Sequence, residues 1–184
     1  MAKYIAFLRG INVGGHNKLK MAELRSALEK LGLENVNTYI QSGNVLFESN
    51  ESQDRLQVQI HSKIEKGFGI SSPVIMRTKE ELQEIIRECP FSEQEIKEAD
   101  ASSKGECLHV AMLSQAPSQT EIDNYLTYSN EKEKGVVKGK NVYLLFYNSI
   151  RNSKLGTHLD KLGQAATVRN WKTLNKLLTM TEAK

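Results

Sequence analysis

Apolar and polar residues alternate in segments whose order predicts the fold of the first half. Tyr4–Leu8 is a short β-favouring run, and apolar residues recur at helical spacing from Met21 to Leu31. Two strand-like segments flank Ser42-Gly43, which predicts an antiparallel hairpin. A helix over 54–66 and a strand over 74–76 follow. The resulting βαββαβ order is the ferredoxin-like pattern.

The same order returns after a charged helix over 79–89 and a polar stretch. The later predicted elements are a strand over 108–113, a helix over 118–128, a hairpin around Gly139, a helix over 157–162, a short strand over 166–168 and a helix over 170–180. We therefore predict an α+β fold of two duplicated ferredoxin-like halves. The predicted division is 1–92 for the first half with its connecting helix, 93–105 for a linker, and 106–184 for the second half with a C-terminal helix.

Several predicted strands are apolar on both faces, for example Tyr143 to Phe146. A ferredoxin-like sheet carries helices on one face only, so its other face needs a cover. We expect the two halves to cover each other and to form one compact body.

Charge is unevenly distributed, although the formal net charge of the 184 residues is only +3. Residues 1–25 contain five basic and one acidic side chain, and residues 134–184 contain ten and two. Residues 80–106 contain three basic and nine acidic side chains. Clustered positive charge favours anionic partners, so nucleic acid or another anionic ligand is the expected partner. No segment is apolar enough for a membrane span or a signal peptide, and we expect a cytoplasmic protein of unknown oligomeric state without a membrane partner.

The segment from Arg9 to Lys18 leaves a strand and enters a helix, and it contains Gly14-Gly15. Glycines, main-chain N–H groups and nearby cations are what an anion site requires. The spacing matches neither the phosphate-binding P-loop nor the dinucleotide-binding glycine motif. A turn in which the glycines adopt positive φ angles explains the same residues, so both interpretations stay open.

Two further polar motifs allow the same pair of interpretations. Gln41-Ser42-Gly43-Asn44 suits either a ligand-binding turn or a plain hairpin turn. Near the C-terminus, Arg169 and Lys172 beside Trp171 could hold a phosphate and stack a base. Trp171 could equally anchor the last helix, with Asn170 as its N-cap. The candidate ligand-binding residues are Arg9, Asn12, Gly14, Gly15, Lys18, Gln41, Ser42, Asn44, Ser153, Lys154, Arg169, Asn170, Trp171 and Lys172.

No catalytic signature is present, because the four histidines form neither a zinc motif nor a Ser/His/Asp order. His61 and His109 are predicted to be structural. Cys89 and Cys107 lack metal-ligand spacing and are predicted to be reduced thiols. We therefore expect neither a metal nor a cofactor. The third strand of the first half also lacks the RNA-recognition signature, so stacking of RNA on the sheet face is not expected.

Together, four motifs resemble a bacterial family known as domain of unknown function 1697. They are Arg9 to Gly15, Thr38 to Val45, Asn152-Ser153-Lys154-Leu155, and Thr167 to Trp171. The resemblance implies a duplicated ferredoxin-like α+β fold. It implies no activity and no catalytic residues.

The sequence leaves three hypotheses about function. The first is binding of an anionic ligand, such as nucleic acid, a nucleotide or a phosphorylated metabolite, through the basic loop motifs. The second is a small-molecule enzyme with a cleft between the halves, in which Arg9 and Lys154 act electrostatically. The third is a protein-interaction module that uses the acidic region 79–98.

Overall fold

A computed structural model describes residues 1–182, which form two four-stranded antiparallel sheets and seven α-helices. The strands are β1 (Ala2–Leu8), β2 (Glu34–Tyr39), β3 (Asn44–Ser49), β4 (Val74–Thr78), β5 (Leu108–Met112), β6 (Glu133–Lys138), β7 (Asn141–Phe146) and β8 (Thr167–Asn170). The helices are α1 (Met21–Glu29), α2 (Gln53–Phe68), α3 (Lys79–Arg87), α4 (Glu93–Ser102), α5 (Gln119–Leu126), α6 (Lys154–Thr157) and α7 (Trp171–Glu182). Short 3₁₀ helices occupy Ile150–Asn152 and Leu159–Leu162.

The two sheets have the same topology. The first has the strand order β2-β3-β1-β4 and the second the order β6-β7-β5-β8, with every pair antiparallel. Each order follows from a βαββαβ chain path with its first and third strands adjacent at the centre of the sheet. The predicted duplicated ferredoxin-like fold is confirmed.

The chain divides into two compact units. Unit 1 contains Met1–Glu84 and the segment that begins at Leu177, and unit 2 contains Ile85–Lys176. The predicted linker over 93–105 falls within unit 2. Most of that range forms α4, since the Ser92 hydroxyl accepts from Glu95 N and the Glu95 carboxylate accepts from Ser92 N in a capping box.

The core of unit 1 lies between the sheet and the helices α1 and α2. Leu24 and Leu28 of α1 and Leu56 and Ile60 of α2 are fully buried there. They pack with residues from one face of the strands, including Ala6 of β1. Leucine and isoleucine at helical spacing therefore build the core that their periodicity predicts.

The core of unit 2 is built the same way. Tyr125 of α5 and Leu155 of α6 pack there against one face of the second sheet. The hydroxyl of the buried Tyr125 donates to Leu155 O at 2.7 Å, which satisfies its polar atom inside the core. The predicted helix over 157–162 differs in detail. Only Thr157, the last residue of α6, is α-helical in that range, and Leu159–Leu162 form a 3₁₀ helix that ends at Gly163, where φ is 81°.

In each sheet, the face opposite to the one that packs against the core helices is also buried. Ile5 and Phe7 of β1 and Val110 and Leu145 of the second sheet have exposed fractions of zero. Strands that are apolar on both faces are thus buried on both faces. None of the described helices combines the length and the apolar character that crossing a membrane requires.

Candidate functional site

One end of the unit 1 sheet brings two of the predicted motifs together. Phe7 at the end of β1 is opposite Asn44 at the start of β3, and Tyr39 at the end of β2 is opposite Asn44 on its other side. The β1–α1 connection, residues 9–20, and the β2–β3 turn, residues 40–43, therefore leave the sheet at the same end. We call the first segment the basic loop, the second the hairpin turn, and the two together the loop end.

Asn12 organises the basic loop through all of its side-chain polar atoms. Its Oδ1 accepts from Leu19 N at 2.8 Å, and its Nδ2 donates to Leu19 O at 2.9 Å. The same Nδ2 donates to Gln41 O at 2.7 Å. Asn12 itself has a φ of 54°, a conformation that asparagine tolerates better than most residues. Asn12 therefore closes the loop on itself and ties it to the hairpin turn.

A second asparagine closes the middle of the basic loop. Asn17, with a φ of 49°, donates from Nδ2 to Gly10 O at 3.0 Å, and its own carbonyl accepts from Asn12 N at 3.0 Å. Sequence reasoning did not single out Asn17, although asparagine is the non-glycine residue most suited to positive φ. The loop is thus a built structure whose tip is Val13 to His16.

Close packing fixes the hairpin turn against the loop. Gly43 has a φ of 88°, and a Cβ atom there would lie 2.7 Å from both Ile11 Cδ1 and Leu8 Cβ. Its carbonyl oxygen accepts from Leu8 N at 2.8 Å. The buried Asn44 side chain donates to Tyr39 O and to Ser42 Oγ. Asn44 and Ser42 therefore hold the turn, which agrees with the plain hairpin interpretation of those two side chains.

The start of the loop is anchored from the other side of the sheet. The hydroxyl of the buried Ser72 donates to Arg9 O at 2.7 Å and accepts from Arg9 N at 3.0 Å. These bonds use the main chain of Arg9 and leave its side chain in an exposed residue. Sequence reasoning missed Ser72, since a lone serine before Pro73 gives no signal of its own.

Cationic side chains and main-chain N–H groups that have no acceptor among the described residues lie on the exposed surface of the loop end. Arg9, Lys18 and Lys20 are exposed, and neither the basic loop nor the hairpin turn contains an acidic residue. Among residues 1–182 no carboxylate pairs with these three cations. Within that range the N–H groups of the exposed Gly14 and Gly15 also have no acceptor. The loop end can therefore offer several donors and three charges to an anion.

Unit 2 provides an internal comparison, because it builds the same sheet with shorter connections. Twelve residues join β1 to α1, whereas six join β5 to α5. Four residues form the β2–β3 turn, whereas two form the β6–β7 turn. The connection in unit 2 carries no charge over 113–118 and is closed by Gln164. The fold does not need the longer basic loop, so its extra residues call for another explanation.

The C-terminal candidates occupy separate places in unit 2. The buried Ser153 donates from Oγ to the Glu133 carboxylate and caps α6 by accepting from Gly156 N. Glu133 lies on the edge strand β6, and Arg169 lies on the opposite edge strand β8. With neighbouring strands about 4.8 Å apart, the two edges are separated by about 14 Å. The width of the sheet thus separates Glu133, to which Ser153 donates, from Arg169.

Arg169 and its neighbours are largely occupied by the fold. Arg169 is opposite Val110 in the sheet, donates from Nη1 to Val168 O, and burial lowers its pKa to about 10. Unit 1 has an arginine at the equivalent position, because Arg77 is opposite Ile5 and donates from Nη1 to Met76 O. Arg77 is buried and Arg169 is half-buried, so an arginine at this sheet position is part of the repeated architecture.

The last helix begins as its cap residue predicts. The Asn170 Oδ1 accepts from Thr173 N at 2.8 Å, which makes Asn170 the N-cap of α7. Trp171 is half-buried at the first position of the helix, and Lys172 is exposed. Two carboxylates of the acidic region 79–98 are also engaged within unit 2, where Glu95 and Glu88 pair with Lys134 and Lys138 of β6.

The described residues offer no evident metal centre. Within residues 1–182 no group of three or more histidine, cysteine, aspartate or glutamate side chains is placed to hold a metal ion. His109 is buried in β5 against Phe146, and desolvation lowers its pKa to about 4. A neutral imidazole in an apolar core serves packing, as the sequence analysis expected.

A family model described as "Protein of unknown function (DUF1697)" matches residues 1–143. The chain belongs to this family. The range matched by the DUF1697 model contains the whole loop end and ends within β7. The motifs around Ser153 and Arg169 lie beyond the matched range. The suspected relationship to this family is confirmed.

A solved structure shows the same architecture as this DUF1697 chain. The conserved bacterial protein SP0830 from Streptococcus pneumoniae is 27% identical, with a TM-score of 0.70. The similarity covers 98% of this chain and 99% of that one. No curated protein matches the chain. The comparisons therefore support the fold and the family, and they name no ligand.

Proposed function

We propose that the protein binds a phosphate-bearing anionic ligand at the loop end of unit 1. The observation that carries the proposal is the contrast between the two units. Unit 1 has a longer, glycine-containing connection with three exposed cations and no acidic residue, and unit 2 makes the same fold without it. Phosphate-bearing ligands include nucleic acid, nucleotides and phosphorylated metabolites, all of which suit exposed main-chain N–H groups and cations.

The division of labour within the loop end supports the proposal. Asn12, Asn17, Ser42 and Asn44 hold the main chain, so they act as positioning residues. Arg9, Lys18 and the N–H groups of Gly14 and Gly15 are the groups that would contact the ligand. The loop is fixed by hydrogen bonds before a ligand arrives, which lowers the entropy cost of binding.

The C-terminal cations are not needed for this site. We propose that Lys154 and Arg169 are solvated or structural residues of unit 2 and that neither contacts the ligand. The two cysteines are free thiols, which supports the expected location in the reducing cytoplasm.

Charge reversal at the loop end tests the proposal. A fluorescein-labelled twelve-residue deoxythymidine oligonucleotide and inorganic polyphosphate of about twelve phosphates serve as probes, with anisotropy and calorimetry at low salt. Arg9→Glu combined with Lys18→Glu is expected to weaken binding of both probes at least tenfold. The control is Lys30→Glu, because Lys30 is equally exposed and follows α1 at the opposite end of unit 1.

Salt dependence gives an independent measure. The wild-type affinity for the oligonucleotide should fall with salt, with a logarithmic slope of about −1.4 for the two phosphate contacts of Arg9 and Lys18 to a single strand. Lys18→Gln should reduce the magnitude of the slope by about 0.7. The proposal fails if neither probe binds at low salt, or if Lys30→Glu weakens binding as much as the double reversal.

A further inference from the structure

Two exposed aliphatic side chains flank the bond that joins the basic loop to the hairpin turn. Val13 follows Asn12 and is 62% exposed, and Ile40 precedes Gln41 and is 50% exposed. In the described part of the chain the other strongly exposed large hydrophobic residues are Met1 and Val58. The loop end therefore combines apolar surface with its cations.

The main chain at Ile40 is strained. Its φ is 51°, while the other non-glycine residues with positive φ among residues 1–182 are Asn12, Asn17 and Asn35. A β-branched side chain is disfavoured in this conformation, where glycine or asparagine is readily accommodated. Packing does not demand isoleucine there, because half of the residue faces solvent. Strained residues of this kind concentrate at binding sites, so the exposed side chain points to a ligand contact.

The surroundings of the two aliphatic residues restrict the kind of partner. Gly14 and Gly15 follow Val13 directly, and their N–H groups have no acceptor among residues 1–182. Insertion of this tip into lipid hydrocarbon would bury those donors unsatisfied, which is costly. A partner with phosphates beside planar, weakly polar groups would satisfy the donors, the cations and the aliphatic side chains together. In single-stranded nucleic acid such planar groups, the bases, are accessible.

We propose that the loop end binds single-stranded nucleic acid, with phosphates at Lys18 and the Gly14-Gly15 main chain and bases against Ile40 and Val13. This inference rests on the proposed function and specifies its ligand. Contact between the aliphatic side chains and the bases adds affinity for a nucleic acid that polyphosphate, which has no bases, cannot gain. The contact is indifferent to base identity, since every base has an apolar face.

Removal of the aliphatic side chains separates base contact from charge. The variants are Ile40→Gly and Val13→Ser, and the probes are the deoxythymidine oligonucleotide and polyphosphate described above. Each variant is expected to weaken oligonucleotide binding about fivefold through lost apolar burial, and to leave polyphosphate binding within twofold. Val58→Ser, at an exposed valine of α2, is the matched control and should change neither.

Stability provides a second readout at position 40. Ile40→Gly relieves the backbone strain, so the midpoint of urea unfolding should stay level or rise while oligonucleotide affinity falls. If Ile40 only supported the fold, its substitution would lower both the urea midpoint and the oligonucleotide affinity. Lowered stability with equal losses on both probes would overturn the inference.

The remaining outcomes also decide between explanations. If both probes bind and neither aliphatic variant affects the oligonucleotide, the ligand contact is purely ionic: the inference fails and the proposed function stands. If phosphatidylglycerol vesicles bind and lose binding in Ile40→Gly while the oligonucleotide does not bind, a lipid surface is the partner and the inference is overturned. If no probe binds, both proposals fail.

Discussion

Asn12 donates from Nδ2 to the main-chain oxygen of Gln41 at 2.7 Å, and this bond joins two motifs that are separated by 29 positions in the chain. Its consequence is that a loop and a turn act as one surface. The carboxamide also bonds Leu19 at both N and O, so a single side chain sets the loop conformation and its attachment. The carboxamide is thus engaged in holding the main chain, whereas the cations of the loop are exposed.

Removal of the Asn12 carboxamide should loosen the loop end. Asn12→Gly is the informative change, because glycine accepts the φ of 54° and the variant removes the hydrogen bonds without adding backbone strain. The free energy of unfolding should fall by about 2 kcal/mol, given three bonds of roughly 1 kcal/mol each and partial solvent replacement. Urea denaturation measures the loss, and amide exchange at Leu19 should accelerate. Unchanged exchange at Leu19 would show that the loop holds its shape without this side chain.

Gly43 should tolerate no side chain. Gly43→Ala places a Cβ atom 2.7 Å from Leu8 Cβ and Ile11 Cδ1 at a φ of 88°, so steric overlap and backbone strain add. The expected loss in the free energy of unfolding is about 3 kcal/mol. Gly139→Ala is the control in the equivalent turn of unit 2. There φ is 59° and no heavy atom lies within 4 Å, so a loss of about 1 kcal/mol is expected from backbone strain alone. Equal losses in the two variants would refute the close-packing argument.

Ser153 should matter for stability and not for anion binding. Its Oγ donates to Glu133 and caps α6 at Gly156, and it is 2% exposed. Ser153→Ala is expected to lower the free energy of unfolding by about 1–2 kcal/mol through the lost cap. Affinity for the oligonucleotide should stay within twofold. A large loss of binding in the folded variant would reinstate Ser153 as a ligand-contacting residue.

Acid should destabilise the protein partly through His109. Burial lowers its pKa from 6.5 to about 4, so the unfolded chain binds a proton that the folded chain resists. The stability due to the neutral imidazole is complete above pH 6.5 and is lost as the pH falls toward 4. The loss attributable to this group is roughly 3 kcal/mol. Urea denaturation between pH 7 and pH 4 measures it, and His109→Gln should flatten the dependence. An equally steep dependence in the variant would assign it to other groups.

The sequence by itself predicted the repeated pattern of elements and the family. The spacing of apolar residues predicted the fold, because strands that are apolar on both faces and helices with one apolar stripe can bury their apolar surface in only a few arrangements. The cap at Asn170 was one of two interpretations that local chemistry allowed, and the structural role of His109 was predicted. The helix over Glu93–Ser102 was not predicted, because its many charged residues resemble those of a linker. Only the Ser92–Glu95 capping box indicates a helix there.

The tertiary structure decided which polar residues can contact a ligand. In the sequence, Asn12 and Lys18 are equally plausible ligand contacts, yet Asn12 is engaged in three internal hydrogen bonds and Lys18 is exposed. The sheet register placed Gln41 beside Asn12. In the second sheet, Glu133, to which Ser153 donates, and Arg169 lie on opposite edge strands. A polar side chain has the same identity whether it serves the fold or a ligand. Only the positions of its hydrogen-bond partners distinguish the two, and chain folding determines those positions.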